Sequence, residues 1–499
     1  MDVLNRIAAL PPTTILGAGV VTFLVIRLWF RKAAHPLPPG PRGLPFLGNV
    51  LHLPIKGQWL TFTEWAKKYG DVIHVSAMGQ SIIILSSAQA AKDLLDGRSG
   101  IYSDRPSFTF GGELVGYQDQ TPLVHSGQGI RDHRKLMAEV LGPRVVSKWH
   151  DMEEVMMHNF LRALLRTPDA YANHIRRVIA SIMFDISHGH VIAEGEDRLM
   201  ALAEQAVTDF SASMVPGRYL VDTFPILRHA PEWVGFKREA KHLRKTMVAM
   251  RDEPWDMVKR QIAEGTAKPS FTTSLIERDP NPSVETEMLY KWVSNGLYTA
   301  AVDTTLAAML SFFFAMSTHH DIQKKVQEEL DRVVGHDRLP SFADRENLPY
   351  LEAVLKEVHR WHPVGPLAIP HRLEKDDVYN GFHIPGGSIV FPNVWAIMRD
   401  EALYPDAATF KPERFLDTAA KGVNPDPLTF AFGYGRRVCP GRDLANDVLF
   451  ILAAMTLSVY NLRCEEENVQ YTDTPITHPA PFKCSIKPRS REAETLISL

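Results

Sequence analysis

Four short stretches carry residue types able to do chemistry. The first is FGYGRRVCPG, residues 432–441, where Cys439 stands behind two arginines and ahead of a Pro-Gly. Glycines there let the backbone bend tightly, and a cysteine among cationic side chains and backbone N–H groups is one held as a thiolate. A buried, inert thiol is the plain alternative. The second stretch is TAAVDTT, residues 299–305, which sets Asp303 beside two hydroxyls inside a long apolar run. A carboxylate buried there costs several kcal/mol unless paired. A mid-helix threonine either bonds the carbonyl four residues back or releases it and bends the helix. The arrangement suits a polar groove that handles a small ligand and its protons; a helix kink with a satisfied polar cluster is the competing reading. The third and fourth are KEVHR (356–360) and FKPERF (410–415). Glu357 and Arg360 fall three apart, neighbours on one helix face, and Arg414 completes a carboxylate–guanidinium cluster. Alone, such a pair reads as an ordinary surface salt bridge.

The elements that must position these residues are mainly helical. Residues 285–318 are apolar and helix-like for many turns, interrupted chiefly at AAVDTT. In DIQKKVQEELDRVVG (321–335), Ile322, Val326, Leu330 and Val333 recur at helical spacing up to a glycine stop, and 348–361 continues in that style. Strand signals are short: DVIHVSAMGQSIIILS (71–86) turns at a glycine between β-branched runs, and GFHIPGGSIVFPN (381–393) reads as a hairpin. The expected class is mostly α with a minor β part, in one large domain from residue 50 to 499.

Composition excludes several functions. The 499 residues are 45% hydrophobic and 23% charged, with a net charge of −3, which makes no case for nucleic-acid binding. Three cysteines (Cys439, Cys464, Cys484) cannot build a disulfide framework and fit a reducing compartment. At the N-terminus, TTILGAGVVTFLVIRLWF (13–30) carries one charge, Arg27. Its length of about 27 Å as a helix matches a bilayer core of roughly 30 Å. No small-residue cleavage site follows, which argues against a signal peptide. Arg27, Arg31 and Lys32 outweigh the charge before the span, so the body faces the cytosol. Residues 1–34 are thus expected to be a membrane anchor, and HPLPPGPRGLPFLGN (35–49), with five prolines, a stiff extended hinge.

Taken in order, PPGPRGLPFLGN, TAAVDTT, KEVHR, FKPERF and FGYGRRVCPG make the whole chain similar to the cytochrome P-450 family of haem-thiolate monooxygenases. The family pattern Phe-x-x-Gly-x-Arg-x-Cys-x-Gly is met at Phe432, Gly435, Arg437, Cys439 and Gly441. PGRYLVDTFPILRHAPEW (216–233), IPHRLEKDDVYNGFHIP (369–385) and NVWAIMRDEALYPD (393–406) most resemble fungal microsomal members that serve secondary metabolism.

The resemblance implies a cytochrome P-450 fold and haem b, with Cys439 as the axial ligand of the iron. O2 and electrons from NADPH, passed through NADPH-cytochrome P-450 reductase, are the implied co-substrates. Arg437, His371 and Arg134 correspond to residues that hold the haem propionates. Asp303 and Thr304 correspond to the acid–alcohol pair that relays protons to bound oxygen, and Glu357, Arg360 and Arg414 to a structural triad. Ile130 replaces the tryptophan usual four residues before Arg134, which removes one donor, and Ala301 replaces a usual glycine.

The implied pocket draws on 108–124, 214–233, Thr299–Ala300, 364–369 and Pro481–Phe482. Phe108, Phe110, Met214, Val364, Leu367, Ile369 and Phe482 there suit a hydrophobic small molecule, terpenoid or aromatic. Arg131, Lys135, Lys148, Arg436 and Arg442 form a basic excess for the reductase. The implied location is the endoplasmic reticulum membrane, single-pass and in contact with lipid, with no nucleic-acid partner. A reductase-independent isomerase or dehydratase, and a haem sensor, remain the rival classes.

Overall fold

The computed structural model describes residues 35–193, 195–215, 217–417, 422–466 and 469–499. The anchor expected over residues 1–34 lies outside the described residues.

Among the described residues, helices of 12 residues or more are α1 (Gln58–Tyr69), α2 (Gln128–Leu141), α3 (His150–Arg166), α4 (Tyr171–His188), α5 (Arg198–Ser213), α6 (Gly235–Ala263), α7 (Val284–Thr318), α8 (His320–Val333), α9 (Pro349–Trp361) and α10 (Arg442–Val459). The organising element is α7, with 35 residues. Ser283 caps it by accepting the Thr286 N–H, and Glu285 and Glu287 complement its first turn. One core joins α2, α3, α4, α7, α9 and α10 through residues such as Met137, Leu161, Ile179, Phe313, Val354 and Leu452. Among the described residues, α7 is the one helix long and apolar enough to cross a bilayer, but its side chains are buried in protein.

The interruption expected at AAVDTT does not occur. Thr304 Oγ1 donates to the Ala300 carbonyl at 2.8 Å, so the hydroxyl is satisfied inside a continuous helix. In α8, Ile322, Val326 and Leu330 all lie buried, at the spacing read from the sequence.

The sheet orders β1 (Val72–Ala77), β2 (Gln80–Leu85), β6 (Ile389–Pro392) and β3 (His371–Arg372); β2 and β6 are parallel and the other pairs antiparallel. Residues 381–393 are not one hairpin. β5 (Phe382–Ile384) instead turns back on β4 (Asp377–Tyr379) through Asn380 and Gly381, both at positive φ (50° and 79°). An Asn-Gly pair favours this two-residue turn, and β6 is left to join the other sheet. At the C-terminal end β7 (Tyr460–Arg463) pairs with β8 (Ser485–Pro488).

The proline-rich segment is extended, as expected, but it is laid against the body. His74 N–H donates to Pro39 O, His383 N–H to Pro36 O, and Ser76 N–H to the Asn49 side chain. A Cβ at Gly40 would fall 2.0 Å from the His74 carbonyl oxygen, so this close approach requires glycine.

Glu357 lies in α9 with no exposed surface. Arg360 grips it through Nε and Nη2 at 2.7 and 2.8 Å, and Arg414 Nε adds a third bond at 3.2 Å. The guanidiniums spend their other N–H groups on the carbonyls of Met398, Pro405, Asp406, Ala407 and Thr409. One carboxylate thereby ties α9 to the irregular stretch that leads toward Cys439. Glu357→Ala leaves two buried cations unpaired and is expected to destabilise the fold by about 3–5 kcal/mol. Breaking the surface pair Lys325–Glu413 with Lys325→Ala should cost about 1 kcal/mol or less. Urea unfolding midpoints of the two variants check the contrast.

Candidate active site around Cys439

Cys439 lies between a short helix, Leu428–Ala431, and the N-terminus of α10. The turn is closed by backbone bonds from Arg437 N–H to Tyr434 O (2.9 Å), Val438 N–H to Gly435 O (3.3 Å) and Cys439 N–H to Phe432 O (2.7 Å). Gly433 and Gly435 adopt left-handed φ of 81° and 52°. A Cβ at Gly435 would come within 2.4 Å of the Leu95 carbonyl oxygen. Gly441 has φ −91°, which any residue adopts, and instead directs its N–H at the Cys439 sulfur. Gly433 and Gly435, and not Gly441, are thus the glycines whose backbone freedom the turn uses. Phe432 packs edge-on against His359, with ring centroids 5.3 Å apart.

The Cys439 side chain is exposed, yet burial raises its thiol pKa. Both statements hold for a sulfur crowded by protein on most sides but still accessible on one. The Gly441 N–H and the charges of Arg134 and Arg442 oppose burial and favour the thiolate, as does the positive end of α10.

Basic side chains lie on the segments around this turn, and the charge of Arg134 acts on the thiol itself. Arg134, in α2, donates from Nη1 to Val438 O at 2.8 Å. Arg437 donates through Nε to Ser103 O (2.7 Å) and through Nη2 to Val124 O (2.6 Å), while its buried Nη1 has no protein partner. His371, opening β3, donates Nδ1–H to Tyr102 O at 2.7 Å. Sequence reasoning missed Arg105. Buried at 4% exposure, it spends Nη1 on the carbonyls of Ile369 and Pro370, and its Nε has no partner. The segment 102–105 is thus the hub of the site, although SDRP reads in the sequence as an ordinary polar turn.

These groups repel one another. Burial, then the Arg437 charge, pushes Arg105 down to about 9, and burial pushes Arg437 down to about 10. Burial, then the Arg105 charge, holds His371 well below the usual imidazole range and so neutral. An arginine does not readily give up its proton, so these shifts express buried cations that lack anions. Asp104 is the nearby carboxylate, already bonded by Ser126 N–H and facing His125 and Arg372. A flat ligand with two carboxylates and a thiol-seeking metal meets both demands, and the residues present fit haem. Ile130, half-buried one turn before Arg134, offers no donor.

The distal candidates lie on α7. Trp292 through Thr299 is buried, Ala300 is exposed, and Asp303 and Thr304 are half-buried. Exposure at the centre of a core helix means that no side chain packs over Ala300. Asp303 Oδ1 lies 3.2 Å from His478 Nε2, a neighbour not anticipated from sequence. Of the expected pocket residues, Phe110 is fully buried and stacked on Tyr219, and Phe482 is packed against Tyr171 and Phe314. Both belong to the core. Phe108, Met214, Val364 and Leu367 are half-buried and Ile369 is exposed, leaving them free to contact a ligand.

Two histidines beside the site make stability depend on acid. Burial pushes His133 down to about 4, and His359 likewise to about 4. Both stay neutral in the folded chain where the unfolded chain would bind a proton below 6.5. Stability is therefore intact above that value and falls as pH drops from 6.5 toward 4, by on the order of 3 kcal/mol per histidine. His133→Gln should flatten part of this loss, as read from urea midpoints at stepped pH.

The chain matches the sequence family described as Cytochrome P450 over residues 38–486. "Cytochrome P450 monooxygenase 208" of Postia placenta is 40% identical over 500 residues, covering 97% of each chain. "Cytochrome P450 monooxygenase claR" of Ampulloclitocybe clavipes is 41% identical over 511 residues, covering 99% of this chain and 95% of that one. "Cytochrome P450 monooxygenase ppsD" of Aspergillus oryzae is 36% identical over 484 residues, covering 94% and 92%.

Proposed function

The chain belongs to the cytochrome P450 family and is a monooxygenase of that family, and on that premise we propose what it acts on and which residues serve it. It inserts one oxygen atom of O2 into a hydrophobic small molecule, drawing electrons from NADPH through a cytochrome P450 reductase. The observation that carries this reading is an accessible thiol in a chain whose buried Arg105 and Arg437 keep N–H groups without partners. We assign the substrate to fungal secondary metabolism, a terpenoid or aromatic skeleton, on the resemblance of residues 216–233 and 393–406 to such enzymes. Residues 1–34 serve as the anchor to the endoplasmic reticulum membrane, 35–49 as the hinge and 50–499 as the haem domain on the cytosolic side.

Cys439 would ligate the iron of haem b, and bound haem would supply activation of dioxygen, with the thiolate donating electron density to the metal. Phe432, Gly435 and Gly441 shape the turn that presents the sulfur. Arg134, Arg437 and Arg105 would hold the propionates, and their mutual repulsion would be relieved by it. His371 would join them through Nε2–H when protonated, since its Nδ1–H is already committed to Tyr102 O. On α7, the hydroxyl proton of Thr304 is committed to Ala300 O, so the oxygen's lone pairs remain free to accept. Asp303, the preceding residue, supplies the proton that Thr304 positions.

Cys439→Ala should abolish the red-shifted Soret band of the ferrous carbonyl complex together with NADPH-dependent turnover. A retained band would mean that another residue ligates the iron.

The reductase meets the face carrying Arg131, Lys135, Lys148 and Arg436, all exposed, with Arg442 half-exposed beside Asp443. Such a patch steers an acidic partner by attraction that salt screens over about 10 Å at 0.1 M. The double reversal Arg131→Glu with Lys135→Glu should slow reduction severalfold and flatten its salt dependence, with haem content unchanged. Stopped-flow reduction at stepped ionic strength reads this out.

A further inference from the structure

Asp303 is half-buried in the middle of the core helix α7, where a carboxylate needs a partner. Among the described residues no lysine or arginine pairs with it. Its neighbour is His478, with Nε2 3.2 Å from Oδ1, and both side chains keep some exposure (19% and 29%). His478 comes from the C-terminal strap, 175 residues further along the chain.

The strap is held firmly enough to place that imidazole. Thr477 donates its N–H to Val364 O at 2.9 Å and its hydroxyl to Pro363 O at 3.0 Å. His478 N–H donates to Thr472 Oγ1 (3.0 Å), and Thr472 N–H returns a bond to His478 O (2.8 Å). Tyr471 lies flat on His362, with ring centroids 3.5 Å apart, and its hydroxyl reaches Ser311 Oγ on α7, two turns beyond Asp303. The strap therefore meets α7 at two points, one structural and one at the carboxylate.

The other ionisable groups nearby are occupied elsewhere. Burial, then the Arg399 charge, holds His362 down at about 3, so it is neutral behind Tyr471. Burial raises the Tyr471 phenol, which keeps its proton. Arg399 donates to Trp361 O and stacks on Trp395. Asp473 faces Lys56 at 3.5 Å on the exposed side of the strap.

We propose that His478 is a positioning residue for the proton-delivery pair: it orients the Asp303 carboxylate and serves as its outer proton station. Protonated His478 passes its Nε2 proton to Asp303 Oδ1 and is recharged from solvent. Imidazole suits this task because it both takes and releases protons near neutral pH. The inference rests on the reading of Asp303 and Thr304 as the proton pair.

The test uses the full-length holoenzyme with reductase and follows NADPH consumption without added substrate, so no substrate need be known. His478→Gln should slow it about tenfold and change its solvent isotope effect. In the resting protein labelled with 15N-histidine, the resonance lost in His478→Gln should change position when Asp303→Asn removes the carboxylate. Thr304→Ala separates the two readings. If it alters the rate and isotope effect while His478→Gln does not, the role of His478 is overturned and the proton pair stands. If neither variant alters them, both readings fall. A His478 resonance indifferent to Asp303→Asn also overturns the proposal. Should His478→Gln not fold, His478→Asn serves the same assays.

Discussion

Two buried guanidiniums, those of Arg105 and Arg437, and the half-buried Arg134 act on one another, and their neighbouring carboxylate Asp104 is already engaged. Like charges buried together are costly unless an anion joins them. The fold offsets part of that cost with backbone carbonyls from three separate segments that accept from Arg437 and Arg105. What stays unmet, Nη1 of Arg437 and Nε of Arg105, points to where an acidic ligand belongs. The site is thus defined as much by its unsatisfied donors as by its thiol.

Holding such a site in place requires rigid support on the thiol side. Glu357 provides it through two arginines that clamp five carbonyls of the stretch between residues 398 and 409. This is a different use of buried charge. Around Glu357 the donors and acceptors balance and the cluster braces the chain, whereas around Cys439 they do not and the imbalance selects a ligand.

On the other side, α7 combines stiffness with a local opening. It stays helical through AAVDTT because Thr304 bonds back to Ala300, yet it exposes Ala300 and leaves Asp303 and Thr304 half-buried. The C-terminal strap, pinned at Thr477, Thr472 and Tyr471, closes over this stretch and brings His478 to Asp303.

Local spacing was legible in the sequence. Glycines and a cysteine within ten residues determine a tight turn because the backbone there has few ways to close, and Glu357 with Arg360 is a pair by helical pitch alone. Helical periodicity likewise determined the buried face of α8. Chemistry assembled from distant segments was not legible. Which arginine finds too few partners, as at Arg105, follows from how segments 102–105, 369–371 and 434–439 pack. Whether Phe110 and Phe482 line a pocket or fill a core depends on Tyr219 and on Tyr171 and Phe314. The split of residues 381–393 between two sheets, and the meeting of His478 with Asp303, were decided by tertiary structure for the same reason. Such contacts join residues whose separation along the chain carries no periodic signal, so only packing selects them.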